Sequence, residues 1–214
     1  ASLGRAPVDA LPPLEPSAGR RGIGQFFEGP MRRVTILLTL AYFGHIMTFY
    51  FFLKWIPKLV ADMGFVPALA GTVLVWANVG GASGSLALSL LTRRYPVRRL
   101  VVVAMIFGAL AVATFGQNLS TLGLLSLIAA VAGFFTNAAI AGLYAVFAES
   151  FPAHLRAGGT GLVIGVGRGG AALGPILGGL LFASGWPLSW VAPAMALGCI
   201  FGALALSSVR PAQE

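Results

Sequence analysis

Six long apolar runs fill the chain between residues 34 and 207, covering about 34–53, 68–91, 100–116, 122–148, 159–183 and 188–207. A bilayer core about 30 Å thick takes about 20 apolar residues in helical form, and each run is near that length. The apolar residues are continuous rather than alternating, which argues against barrel strands. Stop signals punctuate the gaps. Lys54, Pro57 and Lys58 end the first run, Pro67 opens the second, and Arg93 and Arg94 close it. The pattern predicts an all-α membrane protein with six transmembrane helices.

The charges between the runs assign sides. Arg5, Arg20, Arg21, Arg32 and Arg33 precede the first run, and Arg93, Arg94, Arg98 and Arg99 separate the second from the third. Arg156 separates the fourth from the fifth, and Arg210 follows the sixth. The opposite side holds only Lys54 and Lys58. The positive-inside rule then places both termini of a multi-pass membrane protein in the cytoplasm, and the cell inner membrane is the expected location. Residues 1–30 carry Pro7, Pro12, Pro13, Pro16 and Pro30 and no signal-peptide core. They read as a mobile cytoplasmic connector, in which Ile23-Gly24-Gln25-Phe26-Phe27 is a candidate to lie at the membrane interface. Residues 31–210 form the bundle and 211–214 a cytoplasmic tail.

Composition excludes the soluble alternatives. The chain is 57% hydrophobic and 9% charged, against about 45–50% and about 25% for soluble domains. Its net charge of +8 flanks apolar runs, so it reports topology rather than nucleic-acid binding. One cysteine, Cys199, excludes an intrachain disulfide, and with only His45 and His154 beside it no metal site is expected.

A few residues are costly to bury. Arg168 lies about nine residues inside the fifth run, roughly 14 Å deep, where insertion of arginine costs at least about 2.5–3.5 kcal/mol. It must face protein, water or an anion. Gly161, Gly165, Ala172 and Pro175 share its helical face and leave room beside the guanidinium, whose planar fork suits a carboxylate. A structural ion pair or carbonyl clamp is the alternative role. His45 sits midway along the first run, in a stripe with Thr35, Thr39, Tyr42 and Phe49. It is a candidate proton carrier or a neutral packing histidine. Asn78, Ala82, Ser85 and Ser89 form one small polar stripe, and Ser126, Ala130, Gly133, Asn137, Ala141 and Tyr144 another. Such stripes serve helix packing or line a cavity, with Asn78, Asn137 and Tyr144 the cavity candidates. The glycines between Gly158 and Gly179 lack the strand and Lys-Ser/Thr ending of a phosphate loop; they read as close packing, with a kink at Pro175. Gly81-Ala82-Ser83-Gly84 matches the serine element of intramembrane proteases. That chemistry needs a histidine deep in a later span, and His154 lies in a linker.

Two stretches resemble the major facilitator superfamily. Glu149-Ser150-Phe151-Pro152-Ala153-His154-Leu155-Arg156-Ala157-Gly158-Gly159 is similar to that family's cytoplasmic E-x-x-P-x-x-x-R-x-x-G element. Arg93-Arg94-Tyr95-Pro96-Val97-Arg98-Arg99 is similar to a basic loop, with Arg93 and Pro96 where the family has an acid and a glycine. Tyr50-x-x-x-x-Trp55-Ile56-Pro57, Asn78-Val79-Gly80-Gly81 with Gly84, and Gly165-Val166-Gly167-Arg168-Gly169-Gly170-Ala171-Ala172-Leu173-Gly174-Pro175 resemble the aromatic acid:proton symporters within it. The resemblance implies the C-terminal six-helix half of a twelve-helix carrier, partnered by a missing N-terminal half. It implies symport of a proton with a small aromatic carboxylate, driven by the proton gradient without a cofactor. Arg168 would bind the carboxylate. His45, Tyr42 and Tyr144 would meet the ring, and Asn78 and Asn137 would add hydrogen bonds. Arg93, Arg94, Glu149 and Arg156 would form the cytoplasmic gate. A carrier of another organic anion or a sugar, and a non-transporting membrane fragment, are the alternatives.

Overall fold

A computed structural model describes residues 22–117 and 121–209. Seven α-helices make six apolar spans, all long enough to cross a membrane, and no strand occurs among the described residues. They are α1 (Gly29–Asp62), α2 (Ala70–Leu91), α3 (Val97–Phe115), α4 (Leu122–Ser150), α5 (Arg156–Gly167), α6 (Gly169–Ala183) and α7 (Leu188–Ser207). The fifth span comprises α5 and α6 together. Helix α1 packs against α7, α6 and α5; α4 packs against α2 and α3; and α3 closes on α7.

Glycine seams let these helices touch backbone to backbone, the packing that membrane helices favour where no hydrophobic effect drives association. On α2 and α4, a methyl added at Gly80 would strike the Ala130 carbonyl, one at Gly84 that of Phe134, and one at Gly133 that of Ala77. On α1 and α7, Gly44 faces the Gly198 carbonyl and Gly202 faces that of Ala41. On α1 and α6, Gly170 meets Phe43 and Gly174 meets Met47. The packing seam of α2 is therefore Ala77, Gly80, Gly81, Gly84 and Leu88, all buried, whereas Asn78, Ala82 and Ser89 in the adjacent polar stripe are exposed.

Three boundaries differ from the sequence expectation. Helix α1 does not stop at Lys54 or Pro57; its 34 residues extend about 51 Å. Ile56, Leu59 and Val60 are buried against Val73 and Phe115, and this packing outweighs the broken hydrogen bond at Pro57. Helix α3 begins at Val97, so Arg98 and Arg99 form its first turn rather than a linker. The fifth span breaks at Arg168, seven residues before the expected kink at Pro175. There the Ala171 amide donates to the Arg168 carbonyl (2.9 Å) in a short turn, within a glycine-rich stretch of poor helix propensity. Helices α1 and α6 end alike. Gly64 (φ +87°) and Gly185 (φ +82°) take the left-handed conformation, and the amides of Phe65 and Trp186 reach back to Val60 and Leu181.

Residues 1–21 and 210–214, with Arg5, Arg20, Arg21 and Arg210, lie outside the described residues. Residues 23–27 form a 3₁₀ turn. Its Phe26 is buried edge-on to Phe151 (6.1 Å between ring centroids) and over Gly158, while Ile23 and Phe27 stay exposed.

Gly84→Ala is expected to cost about 1–3 kcal/mol through overpacking, a fall of several degrees in the melting temperature of the detergent-solubilised chain. Gly71→Ala, where an added methyl meets nothing within 4 Å, is expected to cause no fall. Equal melting of the two variants would exclude the seam as a determinant of stability.

Candidate functional site

The site is built where the broken span lies on α1. On one side of the break, Gly167 presses onto the Tyr42 ring, which a larger residue there would displace. The Tyr42 and Tyr144 hydroxyls are 3.0 Å apart, and the rings of Tyr42 and Phe147 meet edge to face at 5.6 Å. On the other side, the Arg168 guanidinium lies beside the Tyr50 hydroxyl and within electrostatic range of Tyr42 and Tyr144. Arg168 is 12 residues from one end of its span and 15 from the other, hence roughly 18 and 22 Å along the axis. It is exposed on the face of the bundle, and an added methyl at Gly161 or Gly165 would meet nothing within 4 Å. Among the described residues the one ion pair is Lys58–Asp62, at the far end of α1. Among the described residues Arg168 thus has the Tyr50 hydroxyl beside it and no carboxylate paired to it.

Tyr50 belongs to this cluster although the polar pattern did not select it. Its signal was its spacing of eight residues from Tyr42, close to the same face of α1. Tyr144 is partly exposed and joins the group through Tyr42. Asn137 lies two turns before Tyr144 on the same face of α4; its amide donates to the Gly133 carbonyl (3.1 Å) and packs on Gly81. Asn78 is exposed, with its amide turned back to the Leu74 carbonyl (2.7 Å).

His45 is placed elsewhere, which corrects the expectation that it faces the cavity with Tyr42. It is fully buried between α1, α4 and α7, with Nε2 3.0 Å from the Thr136 carbonyl and Nδ1 3.2 Å from the Cys199 sulfur. One turn on, the Thr48 hydroxyl enters the α7 ladder. It donates to the Met195 carbonyl (2.6 Å) and accepts from the Cys199 amide (3.1 Å). His45 and Thr48 therefore tie helices together in the interior. Ser83 bonds the Gly80 carbonyl of its own helix (2.8 Å), and His45 has other partners. Arg93 and Arg94 are exposed in the turn after α2, Glu149 is exposed near the end of α4, and Arg156 opens α5. These four gate candidates share one end of the bundle without an ion pair among the described residues.

The model of the major facilitator superfamily matches residues 38–214. The chain belongs to this superfamily. It is a family of membrane transporters, not of enzymes, and its relatives named here are transporters of aromatic acids. The chain is 34% identical over 175 residues to the 3-(3-hydroxy-phenyl)propionate transporter of Escherichia coli K12, covering 80% of this chain and 42% of that one. It is 29% identical over 182 residues to the gallate transporter of Pseudomonas putida, covering 85% and 40% respectively. It is 31% identical over 159 residues to the benzoate transport protein of Acinetobacter baylyi, covering 74% and 33%. The chain thus spans less than half the length of these curated relatives. Six helices are the size of half a major facilitator fold.

Because His45 is an interior tie, His45→Ala is expected to destabilise the solubilised chain by about 1–3 kcal/mol, the cost of stranding buried polar partners. Tyr144→Phe, on the partly exposed face, is expected to stay within about 0.5 kcal/mol. Thermal unfolding of both variants checks the contrast, and equal stability losses would contradict the assignment.

Proposed function

We propose that this chain is the C-terminal six-helix half of a secondary carrier that moves a small aromatic carboxylate, of the benzoate or hydroxybenzoate type, together with a proton. The observation that carries this reading is Arg168. It is a guanidinium near mid-membrane, exposed on one face of the bundle, beside the Tyr50 hydroxyl and, among the described residues, without an acid paired to it. Such a face is too costly to leave against hydrocarbon, so a second six-helix bundle covers it and encloses a site at the midplane. The guanidinium accepts the carboxylate in a charge-assisted, bidentate contact. Tyr50 holds the guanidinium, and Tyr42 and Tyr144 present ring faces and hydroxyls to the substrate ring. Asn137 and Asn78 extend the polar wall along α4 and α2. The aromatic acids named for the relatives support this substrate class.

The arginine-rich end faces the cytoplasm of the inner membrane under the positive-inside rule, with both termini on that side. Glu149, Arg156, Arg93 and Arg94 gather there and make cytoplasmic contacts with the other half as the carrier rocks. The proton gradient drives uptake. The coupling proton is assigned to groups of the complete carrier rather than to His45, which neither substrate nor bulk water reaches in this conformation.

The test is uptake of labelled benzoate and 4-hydroxybenzoate by cells making the complete carrier. Arg168→Lys is expected to reduce uptake at least about tenfold, because a point charge replaces the planar fork. Tyr50→Phe is expected to raise KM more than it lowers the maximal rate, and a protonophore to abolish accumulation. The chain alone in liposomes is expected to give background uptake only. Unchanged kinetics in Arg168→Lys would remove the substrate role, and uptake by the chain alone would overturn the half-carrier reading.

A further inference from the structure

At the arginine-rich end, away from the transport site, α3 and α7 frame a cleft of about 590 Å³ lined by Pro96, Arg98, Arg99, Val102, Val103 and Ser207. Its two arginines are differently engaged. Arg98 clamps the end of α7, with Nε donating to the Leu206 carbonyl (3.1 Å) and Nη2 to that of Ser207 (2.7 Å). The negative end of the α7 dipole thus receives its charge. Arg99 is exposed, its guanidinium makes no hydrogen bond or ion pair among the described residues, and none of those residues brings a carboxylate to the cleft. Both arginines lie in the first turn of α3, where the helix dipole adds to the positive potential. Val102 and Val103 line the cleft about 5–6 Å further along the helix. The result is a positive mouth above an apolar groove, between two helices that cross the membrane.

We propose that this cleft binds an anionic phospholipid. The phosphodiester sits against Arg99, with the clamped Arg98 behind it, and an acyl chain follows the groove past Val102 and Val103. A phosphatidylglycerol-type lipid complements the field throughout its headgroup. The ammonium of phosphatidylethanolamine meets the same positive charge and is disfavoured. A soluble phosphate ester lacks the chain that fills the groove. Basic pockets between membrane helices at headgroup level are suited to this chemistry.

Native mass spectrometry of the complete chain in detergent, titrated with phosphatidylglycerol, phosphatidylethanolamine and glycerol 3-phosphate, tests the site. Wild-type protein is expected to retain phosphatidylglycerol with a preference of about fivefold or more over phosphatidylethanolamine, one basic residue's share of headgroup attraction, and to retain no glycerol 3-phosphate. Arg99→Gln is expected to abolish the preference. Arg156→Gln, on α5 packed against α1 and α4, is expected to keep it. Val102→Trp is expected to reduce phosphatidylglycerol adducts by filling the groove; it decides alone if Arg99→Gln lowers the melting temperature. No preference in wild type, an unchanged preference in Arg99→Gln, unchanged adducts in Val102→Trp, or equal retention of glycerol 3-phosphate would each overturn the proposal.

Discussion

A guanidinium halfway along a membrane helix has to be kept from hydrocarbon, and the broken fifth span is shaped by that requirement. One face of α5 and α6 lies flush on α1 because Gly167, Gly170 and Gly174 carry no side chains. The other face carries Arg168 into open space bordered by bare glycines. Tyr42 links the two faces. Its ring is pinned by Gly167 and Phe147, and its hydroxyl is shared with Tyr144. A change in how α5 lies on α1 therefore moves Tyr42 and the guanidinium together.

The rest of the bundle is stiffened by side chains that bond backbone polar groups of other spans. Pro193 lacks the amide that would bond the Ser189 carbonyl, and Gln117 donates to that carbonyl instead (3.3 Å). The Trp55 indole donates to the Pro175 carbonyl (3.3 Å). Thr48 bridges the Met195 carbonyl and the Cys199 amide. Each contact joins residues of different spans, so side chains tie the spans together. In the proposed carrier, a body held in this way suits rigid rocking against the other half better than internal rearrangement.

The six spans were legible in the sequence because length and continuity of apolar residues suffice to define them. Their ends were less legible. Lys54 and Pro57 are local stop signals, and Ile56, Leu59 and Val60 override them through contacts with residues distant in sequence. The mid-span arginine was legible from its cost alone. Periodicity grouped His45 with Tyr42 and Thr35, but it cannot decide which side of a helix faces the cavity in a chain that is apolar all round. The structure turns His45 inward, and the α2 seam lies one residue away from its polar stripe. Tyr50 was named in a motif and spaced from Tyr42 but not selected as a site residue, because an aromatic in an apolar run gains a polar role only once Arg168 is placed beside it.

The arginines of this chain meet two kinds of surroundings, and the contrast bears on transport. Arg98 and Arg33 direct their guanidinium groups to the carbonyls at the end of α7, where the helix dipole is negative. Arg168 lies between the C-terminus of α5 and the N-terminus of α6, where the negative end of one dipole adjoins the positive end of the next and the two partial charges offset each other. The group beside it is the Tyr50 hydroxyl, which orients a guanidinium without cancelling its charge. A permanent acid beside it would make a locked pair that a passing carboxylate would have to displace, leaving a charge unpaired in a poorly solvated site. Leaving Arg168 without an acid keeps its charge available to an anion that comes and goes. In the proposed carrier, substrate occupancy and the electrostatic balance of the closed site are then the same variable.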